Sequence, residues 1–410
     1  MTPWAEIVGA AHVRPGGAAD AVDGVVPRAV VRPGTVDEVR ACVRAAAGAG
    51  AALLARGLGA HLDVGAPPAR LDVLLDVARL ARVLDHRAGD MTVTVEAGCP
   101  LPALADVLAG AGQWLPLDPP RAGRTTVGGL VAAGLFGPLR ASQGRVRDLL
   151  LGVRVVGADG ALVAGGGRVV KNVAGYDLPK LHVGALGTLG VLVEATFKVR
   201  PRPPCGRALV AACGDVGAAA DLALAARDAA VEPFWLVLEG ERVSVGFAGV
   251  AEEVAAGAAA MRALAERRGA RVADVDPVAA RGRAADMPGE PAAAVLRAGV
   301  LPGDVGAALR DIDAAARAAG TAVRTLAHVA CGVVYAAVAA EAPVPRLVAH
   351  LRPRMEARGG SLVVERAAPG VKRALDVWGD PGPGLPLMRG VKAALDPGAL
   401  FAPGRFVGGL

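Results

Sequence analysis

Three glycine-rich segments in the first half of this chain, each set against a short apolar run, limit what it can fold into. The first is Arg56-Gly57-Leu58-Gly59-Ala60-His61, directly after the apolar residues 51–55. Glycines at the end of a buried strand let backbone amides converge on a pyrophosphate, which a Cβ would obstruct. A tight turn between two strands accounts for the same residues, and both readings stand. A Rossmann fingerprint is excluded, because the G-x-G-x-x-G spacing and the amphipathic helix after it are missing.

The second segment begins at Leu117-Asp118-Pro119-Pro120 and continues as Thr125-Thr126-Val127-Gly128-Gly129-Leu130-Val131-Ala132-Ala133-Gly134. It carries little side-chain bulk and is flanked by Arg121, Arg124 and Arg140. Small residues admit a large flat ligand with arginines near its anionic part; a close helix crossing would use them equally well. The third is Lys171-Asn172-Val173-Ala174-Gly175-Tyr176-Asp177-Leu178, followed by Gly184-Ala185-Leu186-Gly187-Thr188-Leu189-Gly190-Val191. A glycine ladder ahead of a strand suits a backbone wall against an aromatic heterocycle, or simply a tight helix-to-strand connection.

Hydrophobic periodicity predicts strands and helices around these segments. Pro33-Gly34 turns a strand into a helix with Thr35 at its N-cap and Glu38 placed as in a capping box. Residues 71–76 and 91–96 read as strands, the second with period-two alternation, 101–111 as a helix, and 126–135 as a small-residue helix or turn. Residues 149–156 and 161–164 form a hairpin signature whose Asp159-Gly160 favours a type I′ turn. A short helix at 176–183 and a long strand at 191–199 follow. Pro201-Arg202-Pro203-Pro204 is the clearest linker. Beyond it, strands at 208–212, 234–239, 243–249, 323–326 and 332–338 alternate with helices at 217–230, 251–268, 303–319 and 345–358. That pattern predicts an α+β unit with an antiparallel sheet. A helix at 388–395 precedes Asp396-Pro397-Gly398.

A net charge of +6 and a pI near 9.4 raise the question of nucleic acid. The basic residues are scattered among acidic ones, as in Glu266-Arg267-Arg268, and only 3% of residues are aromatic. A nucleic-acid binder needs a basic stripe with aromatics to stack on bases, so that class is excluded. Cysteines 42, 99, 205, 213 and 331 form no CxxC pair and read as reduced thiols of a cytoplasmic chain. Residues 4–17 lack the apolar core of a secretory signal, and the longest apolar stretch, 329–340, is too short to span a bilayer. The expectation is a cytoplasmic protein that meets the inner face of the cell membrane only through partners.

In order along the chain, RGLGAHLDVG, VTVEAG, LPLDPP, TTVGG, GRVRD, VVKNVAGYDL, GALGTLGV and a terminal DPGALFAPGR resemble flavoproteins with a vanillyl-alcohol-oxidase-type FAD domain, the PCMH type. Within that superfamily, VVKNVAGYDLPKL and GALGTLGVLVEATFKV are most similar to the E subunits of glycolate oxidase. The resemblance is strongest over residues 25–201 and returns at 395–405. It implies an α+β fold: an N-terminal extension (1–24), an FAD-binding domain of two α+β lobes (25–204), an α+β cap with an antiparallel sheet (205–385), and a C-terminal segment returning to the FAD domain (386–410). It implies non-covalent FAD, with Arg56, Gly57, Leu58, Gly59, Ala60 and His61 as the pyrophosphate loop. Pro119, Thr126, Val127, Gly128 and Gly129 would line phosphates and flavin. Gly134, Gly144 and Val146 would lie along the cofactor, and Gly187, Gly190 and Val191 at its adenine end or ribityl chain. The implied role is an FAD subunit of a multi-subunit 2-hydroxy-acid (glycolate) dehydrogenase. Its partners would be a homologous catalytic flavin subunit and an iron–sulfur subunit, with a small hydroxy acid as substrate of the complex.

Departures from the pattern bear on catalysis. Gly134-Leu135-Phe136-Gly137 stands where hydroxy-acid-oxidising relatives carry an Asn-Ala-Gly-Gly-like segment. His328-Val329-Ala330-Cys331-Gly332-Val333-Val334-Tyr335 stands where their cap carries a metal motif of the form HxGDGNxH. Oxidising a hydroxy acid needs a base for a proton and a cation for the carboxylate. Neither is evident, so catalytic residues are unassigned and no metal is expected. Ala402-Pro403-Gly404 replaces an Asn-Pro-Gly. Relatives that attach flavin through a loop histidine place it directly after the glycine pair, whereas Ala60 intervenes before His61. Lys171 and Asn172 read as caps or flavin-proximal groups, His182 as packed or on the surface, and Trp114 and Trp378 as core. A stand-alone FAD oxidoreductase and a non-redox assembly subunit with structural FAD are the alternatives.

Overall fold

A computed structural model describes residues 3–168, 175–229, 232–339 and 342–410, so the expectations for Lys171 and Asn172 lie outside the described residues. Thr35 caps the helix Val36–Gly48, its hydroxyl accepting the Glu38 N–H at 3.1 Å. The Glu38 carboxylate reaches one residue further back than a capping box predicts, to the Gly34 N–H at 2.6 Å. Through Val39, Cys42, Val43 and Ala46 this helix covers a four-stranded sheet. In that sheet Leu53–Arg56 and Ala29–Val31 flank Val73–Asp76 in parallel, and Val13–Pro15 closes the far edge antiparallel. The edge at Leu53 is closed by the returning C-terminal segment. Leu53 N–H donates to the Leu400 carbonyl at 2.8 Å, and Ala402 N–H to the Leu53 carbonyl at 2.9 Å.

A second, antiparallel sheet runs in the order Val83–Arg87, Thr92–Glu96, Val191–Lys198, Leu150–Val156, Leu162–Gly166. The alternation in Thr92–Glu96 is real, but all five residues are buried. Val93 and Val95 enter an apolar core with helices Leu101–Ala109 and Val127–Ala133, and the polar face is satisfied internally. Thr94 and Thr196 hydroxyls meet at 2.9 Å, and Glu96 accepts from the Arg82 N–H and guanidinium at 2.7 Å each. The hairpin after Val156 does not turn as a type I′. Only Gly160 takes a left-handed φ, +74°, while the Asp159 carboxylate accepts the Ala161 N–H at 2.8 Å.

After the linker, residues 205–367 build an eight-stranded antiparallel sheet. Its order is Arg271–Val275, Cys205–Ala212, Arg242–Gly249, Trp235–Glu239, Val323–His328, Val333–Val338, Ala294–Gly299, Ser361–Ala367. The first, seventh and eighth of these strands, and the helix Pro277–Asp286, fall where the sequence predicted no element. Helices Val216–Asp228, Ala251–Glu266, Val305–Ala318 and Val344–Glu356 pack one face. The other face, through Trp235, Val237, Leu326 and Tyr335, packs against Leu139 and the half-buried Phe136 and Trp114. Trp114 is therefore interface rather than core, stacked on Phe234. Among the described residues, no helix is long and apolar enough to cross a membrane.

Candidate cofactor site

A cleft of about 760 Å³ is walled by both smaller sheets and the segments that leave them. The strand Leu53–Arg56 delivers Arg56, Gly57, Leu58, Gly59, Ala60 and His61 to one wall; Thr126, Gly128, Gly129, Gly187 and Gly190 form others. Among the described residues, none of the five N–H groups from Gly57 to His61 donates to an acceptor. Four of these five residues are at least partly exposed, and a run of N–H groups without an internal acceptor at a turn can make an anion-binding concavity. A Cβ on Gly57 would come within 2.3 Å of the Thr126 hydroxyl oxygen, so glycine there is what lets the loop approach the helix Val127–Ala133.

The glycine pair works differently. Gly128 N–H donates to the Ala97 carbonyl at 2.7 Å and Gly129 N–H to the Thr126 hydroxyl at 3.2 Å, so neither is free for a ligand. Gly128 allows close packing, since a Cβ there would come within 2.9 Å of Ala97 Cβ; Gly129 contributes space, because a Cβ meets only that hydroxyl, at 3.3 Å, and so does Gly187, where one meets nothing within 4 Å. Ala97, Ala132, Ala133, Leu186 and Leu192 make the rest of the lining apolar, and Arg405 from the C-terminal segment completes it.

Six residues expected at the cofactor lie outside this lining. Val127, Val146 and Val191 point into apolar cores, at 0%, 1% and 1% exposure. Pro119 is buried beside Asp118. Gly144, at φ +89°, terminates the short helix Arg140–Gln143. Gly134, at φ +62°, ends the helix Val127–Ala133 and borders a neighbouring pocket. Arg405, Ala97 and Leu192 were missed; the resemblance in the tail was the available signal for the first.

His61 illustrates how burial fixes a tautomer. Its Nε2 lies 2.9 Å from the Thr125 hydroxyl oxygen, and that hydroxyl donates its only proton to the Arg121 carbonyl at 2.9 Å. Nε2 must therefore carry the hydrogen. Burial lowers the imidazole pKa to about 4, with Arg121 and Arg366 assisting and Asp63 opposing. His61 is thus a neutral donor at physiological pH.

The neighbouring pocket, about 630 Å³, shares Ala133 and Leu186 with the cleft. Gly134, Leu135 and Phe136 face Arg297, Val363, Glu365 and Trp378 across it; Trp378 is half-buried wall, not core. Arg297 Nε donates to the Glu365 carboxylate at 2.6 Å and sits opposite Tyr335 in the sheet register. Tyr335 lies 5.6 Å from His328 between ring centroids, and Phe136 is 6.0 Å from His328. Among the described residues, the Tyr335 hydroxyl, both His328 ring nitrogens and Arg366 Nη2 are buried without a hydrogen-bond partner. One cation, Arg297, therefore lines the pocket, paired with Glu365 and carried on a strand the sequence did not announce. Neither His328 nor Tyr335 is a base poised near neutrality, because burial drops His328 to about 3 and raises Tyr335 above the usual phenol range. Among the described residues, no three of His, Cys, Asp and Glu converge as metal ligands.

Asp118, beneath the glycine segment, gives a pH-dependent prediction. Burial raises its pKa to about 7, against Arg281 and the Leu139 N–H, which donates to it at 3.2 Å. The folded protein then holds a proton that the unfolded chain has released, so this carboxyl's contribution to stability declines as pH rises from about 4 to 7. Asp118→Asn is expected to flatten that decline and raise Tm at pH 8. A wild-type Tm that climbs over this interval, unaltered by the substitution, would contradict the assignment.

Comparison with known proteins follows this geometry. Residues 27–166 match the family model of the FAD binding domain. Glycolate oxidase subunit GlcE of Escherichia coli (strain K12) is 45% identical over 130 residues, 32% of this chain and 37% of that one. D-2-hydroxyglutarate dehydrogenase of Xanthomonas citri pv. viticola is 36% identical over 178 residues, 43% of this chain and 38% of that one. The chain thus spans about two-fifths of the length of the curated relatives it matches. Over its whole length the fold is that of p-cresol methylhydroxylase, with a TM-score of 0.78 at 14% identity, covering 98% of this chain and 95% of that one. Free N–H groups for a diphosphate, a wall without side chains and an apolar lining all fit that cofactor. Residues 27–166 thus match an FAD-binding domain, the chain has the fold of p-cresol methylhydroxylase, and FAD is its cofactor.

Proposed function

We propose that the chain is the FAD-bearing subunit of a 2-hydroxy-acid dehydrogenase of the glycolate oxidase type, working with a homologous catalytic flavin subunit and an iron–sulfur subunit. The observation that carries this reading is the pairing of an N–H-lined cleft with a neighbouring pocket whose one lining cation, Arg297, is already paired with Glu365. The likeness to the GlcE subunit over 130 residues supports it. Bound FAD supplies electron acceptance from a hydroxy acid and release to an iron–sulfur acceptor. The N–H groups of Gly57 to His61 hold the diphosphate. Gly128, Gly129, Gly187 and Gly190 admit the rings, while Pro119, Val127, Gly134, Gly144, Val146 and Val191 shape the cleft from behind. The cofactor is non-covalent, with His61 anchored to Thr125. The chain divides at Pro201–Pro204 into an FAD domain and a cap, and the complex is cytoplasmic, reaching the inner membrane face through its partners.

A second reading, a stand-alone oxidoreductase, draws on polar atoms buried in the cap without a hydrogen-bond partner among the described residues: the Tyr335 hydroxyl, the His328 ring nitrogens and Arg366 Nη2. Anaerobic stopped-flow of the isolated protein with millimolar glycolate or D-lactate separates the two. Proton transfer and substrate positioning each contribute orders of magnitude, so flavin reduction is expected at background, although dithionite reduces it. Acid precipitation of the same preparation is expected to leave FAD in solution. Bleaching on the order of hundreds per second, within the ordinary range of turnover, would establish the stand-alone enzyme instead.

A further inference from the structure

The loop that presents free N–H groups to the cleft is gripped by its carbonyls. Arg121 Nη1 donates to the Ala60 carbonyl at 2.7 Å, and Lys372 Nζ to that of Asp63 at 2.6 Å. Arg405 Nη2 donates to the carbonyls of Leu62 and Val64, at 3.0 and 2.6 Å. Across a planar trans peptide the C=O and the following N–H point in opposite directions. Drawing the Ala60 carbonyl toward Arg121 therefore turns the His61 N–H the other way. The gripping cations come from three separate stretches: the segment after Pro120, the helix Pro369–Ala374 and the C-terminal segment.

Their charge is not balanced locally. Asp23 pairs with Lys372 at 2.8 Å and Arg405 at 3.6 Å; Asp63 pairs with Arg121 at 2.8 Å and Arg366 at 3.6 Å. Four cations thus share two carboxylates, an excess of two positive charges. The side chains of Lys372 and Arg405 are 0% and 2% exposed. Among the described residues, Arg405 Nη1 and Arg366 Nη2 find no hydrogen-bond acceptor. Burial disfavours these charges, lowering the pKa of Lys372, Arg366 and Arg405. Arg121 also holds a left-handed φ of +57°, which non-glycine residues adopt at a cost, and its own N–H is pinned to Asp286. Uncompensated buried charge is strongly destabilising. Arg405 lines the cleft, so its buried guanidinium, whose nearest carboxylate at Nη1 is Asp23 at 3.6 Å, stands close to an anion bound there.

We propose that this cluster is the electrostatic counterpart of the cofactor's diphosphate. The two negative charges of a diphosphate equal the excess among these ion pairs, and Arg121, by drawing the Ala60 carbonyl, orients the His61 N–H. Because Arg366 belongs to the cap sheet, Lys372 to the helix after it and Arg405 to the tail, cofactor binding ties all three regions to the loop. The inference rests on the FAD reading above.

The test compares apoprotein affinity for FAD, ADP and riboflavin at low and high salt in wild type, Arg405→Met and Arg405→Lys. Truncating a buried, hydrogen-bonded charge typically weakens binding by tenfold or more. Arg405→Met is expected to weaken FAD and ADP by at least about tenfold, leave riboflavin within about twofold, and reduce the salt dependence of FAD binding. Arg405→Lys, which retains the charge, is expected to recover much of both and serves also if Arg405→Met does not fold. Equal weakening of riboflavin and FAD would reduce Arg405 to a structural role and overturn the inference, as would an Arg405→Met protein with wild-type FAD affinity. Failure of the wild-type chain to take up FAD would overturn the cofactor reading itself.

Discussion

Replacing Gly129 with glutamate is expected to weaken FAD binding by about a thousandfold while leaving the protein folded. The Cβ has room, since its nearest neighbour, the Thr126 hydroxyl oxygen, lies at 3.3 Å and can give slightly. The rest of the side chain has to enter the cleft, where it removes volume and sets a carboxylate beside a diphosphate. Two like charges about 4 Å apart repel by about 4 kcal/mol at an effective dielectric constant near 20, which is the stated thousandfold. Gly282→Glu is the matched control, because a Cβ there, on the helix Pro277–Asp286, meets nothing within 4 Å. Flavin-to-protein absorbance and titration of the apoprotein read the difference. Stoichiometric FAD in the Gly129→Glu protein would remove this wall from the site.

Lys392→Met is expected to destabilise the fold by about 3–5 kcal/mol, the usual consequence of stranding one member of a buried ion pair. Lys392 is 8% exposed and donates to the Asp396 carboxylate at 2.7 Å, the Thr188 carbonyl at 2.7 Å and the Phe401 carbonyl at 3.0 Å. Asp396 in turn accepts the N–H groups of Leu400 and Phe401 at 2.8 and 2.9 Å, where the tail meets the edge at Leu53. One ammonium therefore holds together the final turn, the loop bearing Gly187 and Gly190, and the edge of the first sheet. Urea denaturation measures the loss. Asp396→Asn in the same chain should recover part of it, since an amide oxygen still accepts a backbone N–H. A loss below about 1 kcal/mol would place the pair among those that surface screening makes inconsequential.

Local signals in the sequence located the elements they directly encode. Thr35 and Glu38 marked a helix start, the glycines after residue 55 marked the loop, and Asp396-Pro397-Gly398 marked the returning tail. What the sequence did not display is assembled across strands. Arg297, Tyr335 and Glu365 are brought together by register, and no spacing along the chain records that Arg297 lies opposite Tyr335. The strands Arg271–Val275, Ala294–Gly299 and Ser361–Ala367 escaped because they lack clean polar–apolar alternation. Ala294–Gly299 shows buried residues at four of its first five positions, and Arg271–Val275 is an exposed edge. Val127, Val146 and Val191 were drawn toward the cofactor by neighbouring glycines, yet apolar side chains between small residues fill cores. The glycine pair lines the cleft, but both of its N–H groups are spent on internal acceptors.

The grip of Arg405 on Val64 spans 341 residues of chain. A ribosome adding about 5–20 residues per second takes on the order of 20–70 s to cover that distance. Throughout that interval the nascent glycine loop has its first-sheet strands but not the tail that closes their edge or the guanidinium beneath it. On the proposed role of Arg405, cofactor capture follows translation of the tail, after the cap. Prematurely terminated chains would be sorted from complete ones by whether they retain flavin.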